Sequence, residues 1–334
     1  MRKKFRILIT SRSFGQYCKE AMDIITEEAE VRRNETGKPF TEDELIGIIS
    51  DFDGAILGGS DEFTSRVIEA ADRLKVIGRH GVGLDNVDLK AATEKGIVVT
   101  YTPGLNSNAV AEFTFALMLA VARKVPQACD SMKGGKWEPR SFIGSELSGK
   151  TLGVIGAGEI GEKVIRKAKG FDMNVICYTA HPEKHQDLVK KYNVKFVDLE
   201  TLLRESDIVT IHCALTEKTK GMIGKRELAL MKKSAILINT ARGPIVDEEA
   251  LYEALKNRLI AGAGLDVYTK EPPGADFPLL KLDNVVATPH IAAYTWEAMR
   301  AMDLTLAQDV MKVLHGERPK FIANPEVLDK VALR

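Results

Sequence analysis

Long runs of one charge sign are missing from this chain of 334 residues, which carries 47 lysines and arginines against 47 aspartates and glutamates. A formal net charge of zero leaves no electrostatic footprint for nucleic acid. Cysteine is scarce. Cys18, Cys129, Cys177 and Cys213 are widely scattered with no CxxC spacing, so they read as small core or surface residues in a reducing compartment, the cytoplasm. No metal centre is expected. No apolar run is long enough and free enough of charge to span a bilayer. The amino terminus sets Arg2-Lys3-Lys4 before an apolar run, but that run passes straight into Ser11-Arg12-Ser13. A signal peptide needs a longer apolar stretch and a small-residue cleavage site, so a first buried strand is expected instead. Internal repeats and low-complexity tracts are also missing.

What is present is a soluble composition, 45% hydrophobic and 28% charged, in a chain long enough for two cores. Short apolar runs alternate with helical patterns, which predicts parallel sheets wound by crossover helices. In the first hundred residues the strand candidates are Phe5–Thr10, Gly54–Gly58, Leu74–Gly78 and Ile97–Thr100. A second series begins at Lys150, with Thr151–Ile155, Asn174–Tyr178, Lys195–Val197, Ile208–Ile211, Ala235–Asn239, Gly262–Val267 and Asn284–Thr288. Between the two, Asn108 to Val125 predicts one long helix, apolar on nearly every face and therefore buried all round. Packing between domains and against a second subunit would satisfy it. Met132–Pro139 reads as a surface loop. Another helical pattern, Trp296 to His315, ends at Gly316 and is expected to cross back to the first domain. The expected organisation is a substrate domain of residues 1–103 plus 294–334, with a dinucleotide-binding domain of residues 104–293 inserted into it.

The strongest local signal is Gly156-Ala157-Gly158-Glu159-Ile160-Gly161, directly after an apolar strand and opening a helical pattern, which is the context a dinucleotide fingerprint needs. Gly156 permits the tight turn, Gly158 lets the backbone approach a pyrophosphate, and Gly161 allows close helix–strand packing. The helix amino terminus offers N–H groups to the phosphates. An NAD-preferring fold places an acid after the second strand, about 20 residues on. Here Thr179 and Ala180 stand there, no acid comes before Glu183, and His181, Lys184 and His185 lie close by. NADP or dual use is therefore favoured over NAD alone.

Three segments at strand ends carry the chemistry: Thr240-Ala241-Arg242-Gly243, Leu265-Asp266-Val267-Tyr268 with Glu271-Pro272, and Thr288-Pro289-His290-Ile291. Reducing a 2-keto acid needs a cation for the carboxylate, and Arg242 offers a planar fork. It needs a general acid for the carbonyl oxygen, and His290 is the natural candidate near neutral pH. A carboxylate beside that imidazole orients it, a role for Glu271. Each alone has a bland alternative: a surface arginine, a loop acid before Pro272, a satisfied core histidine. Their joint placement at successive strand ends behind a glycine fingerprint favours the functional reading.

With Gly81-Val82-Gly83-Leu84-Asp85-Asn86-Val87-Asp88 and Asn106-Ser107-Asn108-Ala109-Val110-Ala111-Glu112 added to these motifs, the sequence closely resembles the D-isomer-specific 2-hydroxyacid dehydrogenase family over nearly its whole length. The resemblance implies a Rossmann-type doubly wound parallel sheet inserted into a smaller flavodoxin-like α/β domain. It implies a catalytic triad of Arg242, Glu271 and His290, with backbone around Val82 and Gly83 binding the substrate carboxylate alongside Arg242. It places Val110, Thr240, Ala241 and Asp266 near the nicotinamide end, His212, Ala214 and Thr219 along the adenosine and phosphates, and Ala292 among the cofactor-binding residues. It also implies a homodimer that uses the 108–125 helix. The family usually has Pro at Ala214 and often Gly-Gly at Ala292-Ala293, departures that bear on the cofactor's fit.

Several motifs look most like the phosphoglycerate dehydrogenase branch. That branch commonly has an arginine before the turn after the second strand, where this chain has Gly58-Gly59-Ser60-Asp61. A phosphate there would lack its counter-charge unless Arg79 or His80 substitutes, and the chain stops at Arg334, short of the branch's regulatory domain. An unphosphorylated keto acid such as glyoxylate or hydroxypyruvate is therefore expected, with D-3-phosphoglycerate dehydrogenase as the alternative. C-terminal-binding-protein corepressors share the fold and triad and are the remote alternative, usually with extra terminal segments for partners.

Overall fold

The computed structural model describes residues 4–334, which divide into two compact units. The first unit runs to Asn106 and resumes at Tyr294–Arg334; the second is the continuous stretch Ser107–Ala293. The first contains five parallel strands: β1 Phe5–Ile9, β2 Ala29–Arg33, β3 Gly54–Leu57, β4 Val76–Arg79 and β5 Val98–Tyr101. Their order is β2-β1-β3-β4-β5, the flavodoxin-like winding.

Alternate residues of each strand serve the two faces. Ile7, Ile9, Ile56, Val76 and Val98 pack with Leu306, Val310 and Leu314 of the helix Trp296–Leu314. Leu8, Ala55, Leu57, Ile77 and Val99 pack with Leu45, Phe63 and Val67 on the other face. The helix comes close because β4 carries Gly78, where a Cβ would lie 2.7 Å from a Val310 methyl. It stops at Gly316, whose φ of 76° suits glycine.

The second unit holds β6 Thr151–Ile155, β7 Asn174–Tyr178, β8 Lys195–Phe196, β9 Ile208–Ile211, β10 Ile236–Asn239, β11 Gly262–Leu265 and β12 Val285–Ala287. All pair in parallel in the order β12-β11-β10-β9-β6-β7-β8, a doubly wound Rossmann sheet. Strand order reverses between β6 and β9, so ligands belong in the crevice beyond their carboxyl ends. The central strands are mostly apolar because both faces are covered. Leu237 and Ala263 face Leu251 and Leu255, while Ile236 and Ile238 share a core with Phe115, Met118 and Val164.

Four readings need correction. The strand Ala29-Glu30-Val31-Arg32-Arg33 was not anticipated, because an edge strand carries charge rather than an apolar run. The long helix ends at Arg123, not Val125; Lys124 turns left-handed at φ 54° and a second helix, Val125–Lys133, begins. Pro126 explains the break. It has no N–H for the Ala122 carbonyl, which accepts from Ser145 N–H at 2.9 Å instead, and it sits comfortably in a new first turn. Met132 and Lys133 are consequently helical rather than part of a loop. Nor is the long helix buried all round within the chain: Glu112 and Ala116 are exposed, and Leu119 to Ala122 are half-buried. Among the described residues no helix is long and apolar enough to cross a membrane.

Candidate active site

The glycine turn after β6 shows why each glycine is there. Gly156 adopts φ 104°, and a Cβ on it would lie 2.6 Å from the Cys213 nitrogen, so the turn fits tightly against the segment leaving β9. A Cβ on Gly161 would collide with the Gly156 carbonyl, so the helix Glu159–Lys169 packs onto the turn only without one. Gly158, the residue capping that helix, is different. Its φ is an ordinary −68° and a Cβ there would meet no protein atom within 4 Å. Neither backbone nor packing requires glycine at this exposed helix start, which fits close approach by a phosphate group.

Around the turn lie the other predicted cofactor residues. His212 follows β9; its Nε2 lies 2.9 Å from Thr210 Oγ1, Nδ1 has no protein partner, and burial pushes the imidazole down to about 3, so it is neutral. Thr219 donates to the Ala214 carbonyl at 2.7 Å, closing the loop that holds both. Thr240, at the end of β10, meets Thr114 Oγ1 at 3.1 Å, and Thr114 donates to the Val110 carbonyl at 2.8 Å. The long helix and β10 thereby bring Val110, Thr240 and Ala241 to one place. Thr179 follows β7, half-buried, and His181 is exposed with Nδ1 3.1 Å from Glu183 Oε1. The first acid after β7 is thus tied to the histidine beside it.

The catalytic candidates converge at the carboxyl ends of β10, β11 and β12. Arg242 leaves β10 through a turn in which Asn239 accepts from the Ala241 N–H at 3.0 Å and donates to the Arg242 carbonyl at 2.9 Å. A Cβ at Gly243 would run into the Tyr268 and Thr269 backbone, so glycine seats this turn against the segment carrying Glu271. Glu271 Oε2 lies 2.7 Å from His290 Nδ1, and its Oε1 accepts the Tyr268 N–H at 3.0 Å. Burial would raise the Glu271 carboxyl, but the His290 hydrogen bond and charge, the Tyr268 N–H and the Arg242 charge outweigh it and hold it below its usual value. An ionised Glu271 only accepts, so Nδ1 carries the proton it shares and Nε2 is left for a ligand. The His290 and Glu271 side chains remain 45% and 35% exposed, open to a small molecule.

One structural role of a predicted site residue was not legible from sequence. Asp266, fully buried, accepts from Thr288 Oγ1 at 2.6 Å, Ile291 N–H at 2.9 Å and Ala292 N–H at 2.8 Å. It clamps the loop on both sides of His290, whose own φ is 55°. Burial raises its carboxyl despite these donors. The remaining predicted residues, Val82 and Gly83, are half-buried in the loop after β4 of the first unit. Arg79 and His80, considered as phosphate partners, are both buried there, with Arg79 donating to Asn86 Oδ1 at 3.2 Å and to the His80 carbonyl.

Comparison with known proteins agrees with this architecture. Residues 115–292 match the model of the D-isomer specific 2-hydroxyacid dehydrogenase, NAD binding domain. The chain belongs to that family, and its second unit is a nicotinamide-dinucleotide-binding domain. It is 47% identical to a D-3-phosphoglycerate dehydrogenase of Methanocaldococcus jannaschii, over 91% of this chain and 57% of that protein. The chain therefore spans little more than half the length of that relative. It is 44% identical to a hydroxypyruvate reductase of Thermotoga maritima, over 89% of this chain and 95% of that one. A solved glyoxylate reductase from Paecilomyes thermophila superposes with a TM-score of 0.84 at 28% identity, covering 98% of this chain and 99% of that structure.

Proposed function

We propose that this protein reduces a small unphosphorylated 2-keto acid, of the glyoxylate or hydroxypyruvate type, to the D-2-hydroxy acid, using NADPH or either nicotinamide cofactor. The observation that carries the reading is the 2.7 Å Glu271–His290 pair beside Arg242 in the same sheet as the Gly156–Gly161 turn. Gly158 and the first turn of the helix Glu159–Lys169 would hold the phosphates of a bound nicotinamide dinucleotide, which would supply the hydride. Arg242 is the proposed cation for the substrate carboxylate, and the backbone N–H groups of Val82 and Gly83 are proposed substrate donors of the first unit. His290 delivers a proton from Nε2 to the carbonyl oxygen as negative charge develops there. Glu271 holds the ring in the orientation that leaves Nε2 outward.

The lack of a carboxylate at Thr179 or Ala180 supports NADP, since nothing there repels a 2′-phosphate. The inward commitment of Arg79 supports an unphosphorylated substrate, because it leaves that guanidinium engaged with its own loop. Phosphoglycerate oxidation is the second reading. Asp61, which argued against it, is buried and accepts the Phe40 N–H at 2.9 Å, and burial raises its carboxyl above the usual value despite that donor and the Arg12 charge. We also propose a homodimer through the 108–125 region, supported by half-exposed Leu119 and Val121 beside exposed Val125, Met132, Trp137 and Ile143.

A rate panel decides between these substrates. NADH and NADPH are each offered with glyoxylate, hydroxypyruvate, pyruvate and phosphohydroxypyruvate. Preferred reduction of the unphosphorylated acids with NADPH is expected. Selective turnover of phosphohydroxypyruvate with NADH would replace this reading with the second one.

A further inference from the structure

The loop that follows β4 is fixed from three sides, and one of them has no role in the chemistry described above. Gly81 sits at φ 140°, a backbone position open to glycine, with its N–H donating to Thr102 Oγ1 at 3.1 Å and its carbonyl accepting the Thr102 N–H at 3.0 Å. Arg79 folds back to bind both ends of the loop, at the His80 carbonyl and Asn86 Oδ1. Asn86 extends the tie to the Gly58 and Asp61 carbonyls at 3.0 and 2.7 Å. The third side is the His80 side chain.

His80 Nδ1 lies 3.1 Å from Ser11 Oγ and 3.4 Å from Ser13 Oγ, and Nε2 lies 2.9 Å from Asp303 Oδ1. The imidazole side chain is 3% exposed and the carboxylate 0%. Asp303 stands on the helix Trp296–Leu314, and its other oxygen accepts the Gly15 N–H at 3.0 Å. Phe14 packs edge-on against the ring at 5.6 Å, and Arg33 donates to the Phe14 carbonyl at 2.8 Å. The Nε2–Oδ1 approach is close but not aligned as a hydrogen bond, so the two groups meet as a tight buried polar contact. A buried carboxylate beside an imidazole is a poor source of stability, because apolar side chains of the same size would fill the space without desolvation. Its position is informative. The His80 N–H donates to the Leu57 carbonyl at 2.8 Å, so β3 holds the backbone while Asp303 and Ser11 hold the ring. The peptide entering Gly81-Val82-Gly83 cannot tilt without breaking one of these ties.

We infer that His80 and Asp303 are positioning residues for substrate: they lock the Val82–Gly83 backbone in the geometry that binds the keto-acid carboxylate, and couple it to the Ser11–Gly15 turn. This rests on the proposed function for its ligand, and on the first unit alone for its geometry. N–H donors to a carboxylate lose their worth with displacements well under an ångström, so a small tilt of this loop weakens substrate binding without touching the proton donor.

Asn and Gln at position 80 separate the two ring contacts, since an Asn amide reaches about as far as Nδ1 and a Gln amide about as far as Nε2. His80→Asn and Asp303→Asn are expected to raise KM for the keto acid about tenfold, with kcat and the dinucleotide KM changed less than about twofold. Both should speed amide exchange at residues 81–85 while the β4 amides stay protected, and His80→Gln should restore both readouts. Unchanged exchange at 81–85 in His80→Asn and Asp303→Asn would overturn the inference, as would a lowered Tm with no shift in KM. If Asp303→Asn does not fold, the contrast between His80→Asn and His80→Gln decides. The exchange measurement uses no substrate, so a wild-type protein that reduces no keto acid would overturn the functional reading while exchange still judges this one.

Discussion

His290 occupies left-handed backbone at φ 55°, a conformation uncommon for residues with a Cβ and concentrated at functional sites. The conformation is held by Asp266, and it aims Nδ1 at Glu271 and leaves Nε2 outward. Replacing His290 by Gln should lower kcat by about 10²–10⁴-fold, the usual worth of a positioned proton donor, with the dinucleotide KM nearly unchanged; a rate close to wild type would remove His290 from the mechanism. Glu271 gives a pH prediction. Its folded carboxyl is held below the ordinary glutamate value, so the pair contributes stability above that ordinary value and loses it as pH falls through the lower folded value. Tm measured against pH should therefore drop more steeply on the acid side for wild type than for Glu271→Gln, and parallel curves would show the pair adds nothing. These residues were legible in sequence because an arginine, an acid and a histidine at successive strand ends suit only a narrow range of chemistry. The clamp made by Asp266 was not, because which donors a buried carboxylate receives depends on how far the β12 loop folds back.

Strand ends and turns carry the site, and the glycines that seat them were readable wherever a motif flagged them. Gly156 and Gly161 do what the fingerprint implies, and Gly158 has no packing reason to be glycine at all. The loop from Thr288 to Ala292 is the element most dependent on a single side chain. Asp266→Asn keeps the size but exchanges one acceptor oxygen for a donor facing N–H groups. It should cut kcat by about a hundredfold through displacement of His290, while the fold, followed by circular dichroism, persists; normal turnover would show that the loop holds itself. Elements defined by apolar periodicity alone were read less well. The strand Ala29–Arg33 carries Glu30, Arg32 and Arg33 at a sheet edge, and the helix read through to Val125 is divided by Pro126. In both, one residue's hydrogen-bonding capacity outweighed the pattern around it.

On the scale of the whole chain, the two sheet orders follow from alternating strands and helices, but the partners of each face do not. The half-covered stretch Leu119–Ala122 and its exposed neighbours Val125 and Met132 are where a second copy is proposed to pack. Sedimentation equilibrium should give twice the monomer mass of 36.7 kDa, and Leu119→Glu combined with Met132→Glu should shift it to the monomer; a wild-type monomer would dismiss the dimer. The helix Trp296–Leu314 has a consequence for the order of events at the ribosome. It covers one face of the first sheet, yet the whole second unit is synthesised before it. Until residues 294–334 emerge, Ile56, Val76 and Val98 lack the cover of Leu306, Val310 and Leu314, leaving Phe14, Ala21 and Ile25 on that face, and closing the gap demands the entropy of a very long loop unless the intervening chain has already folded. The nascent protein thus gains by finishing its second unit first, and a message cut short before codon 294 would release a first sheet with part of one side uncovered and prone to aggregation.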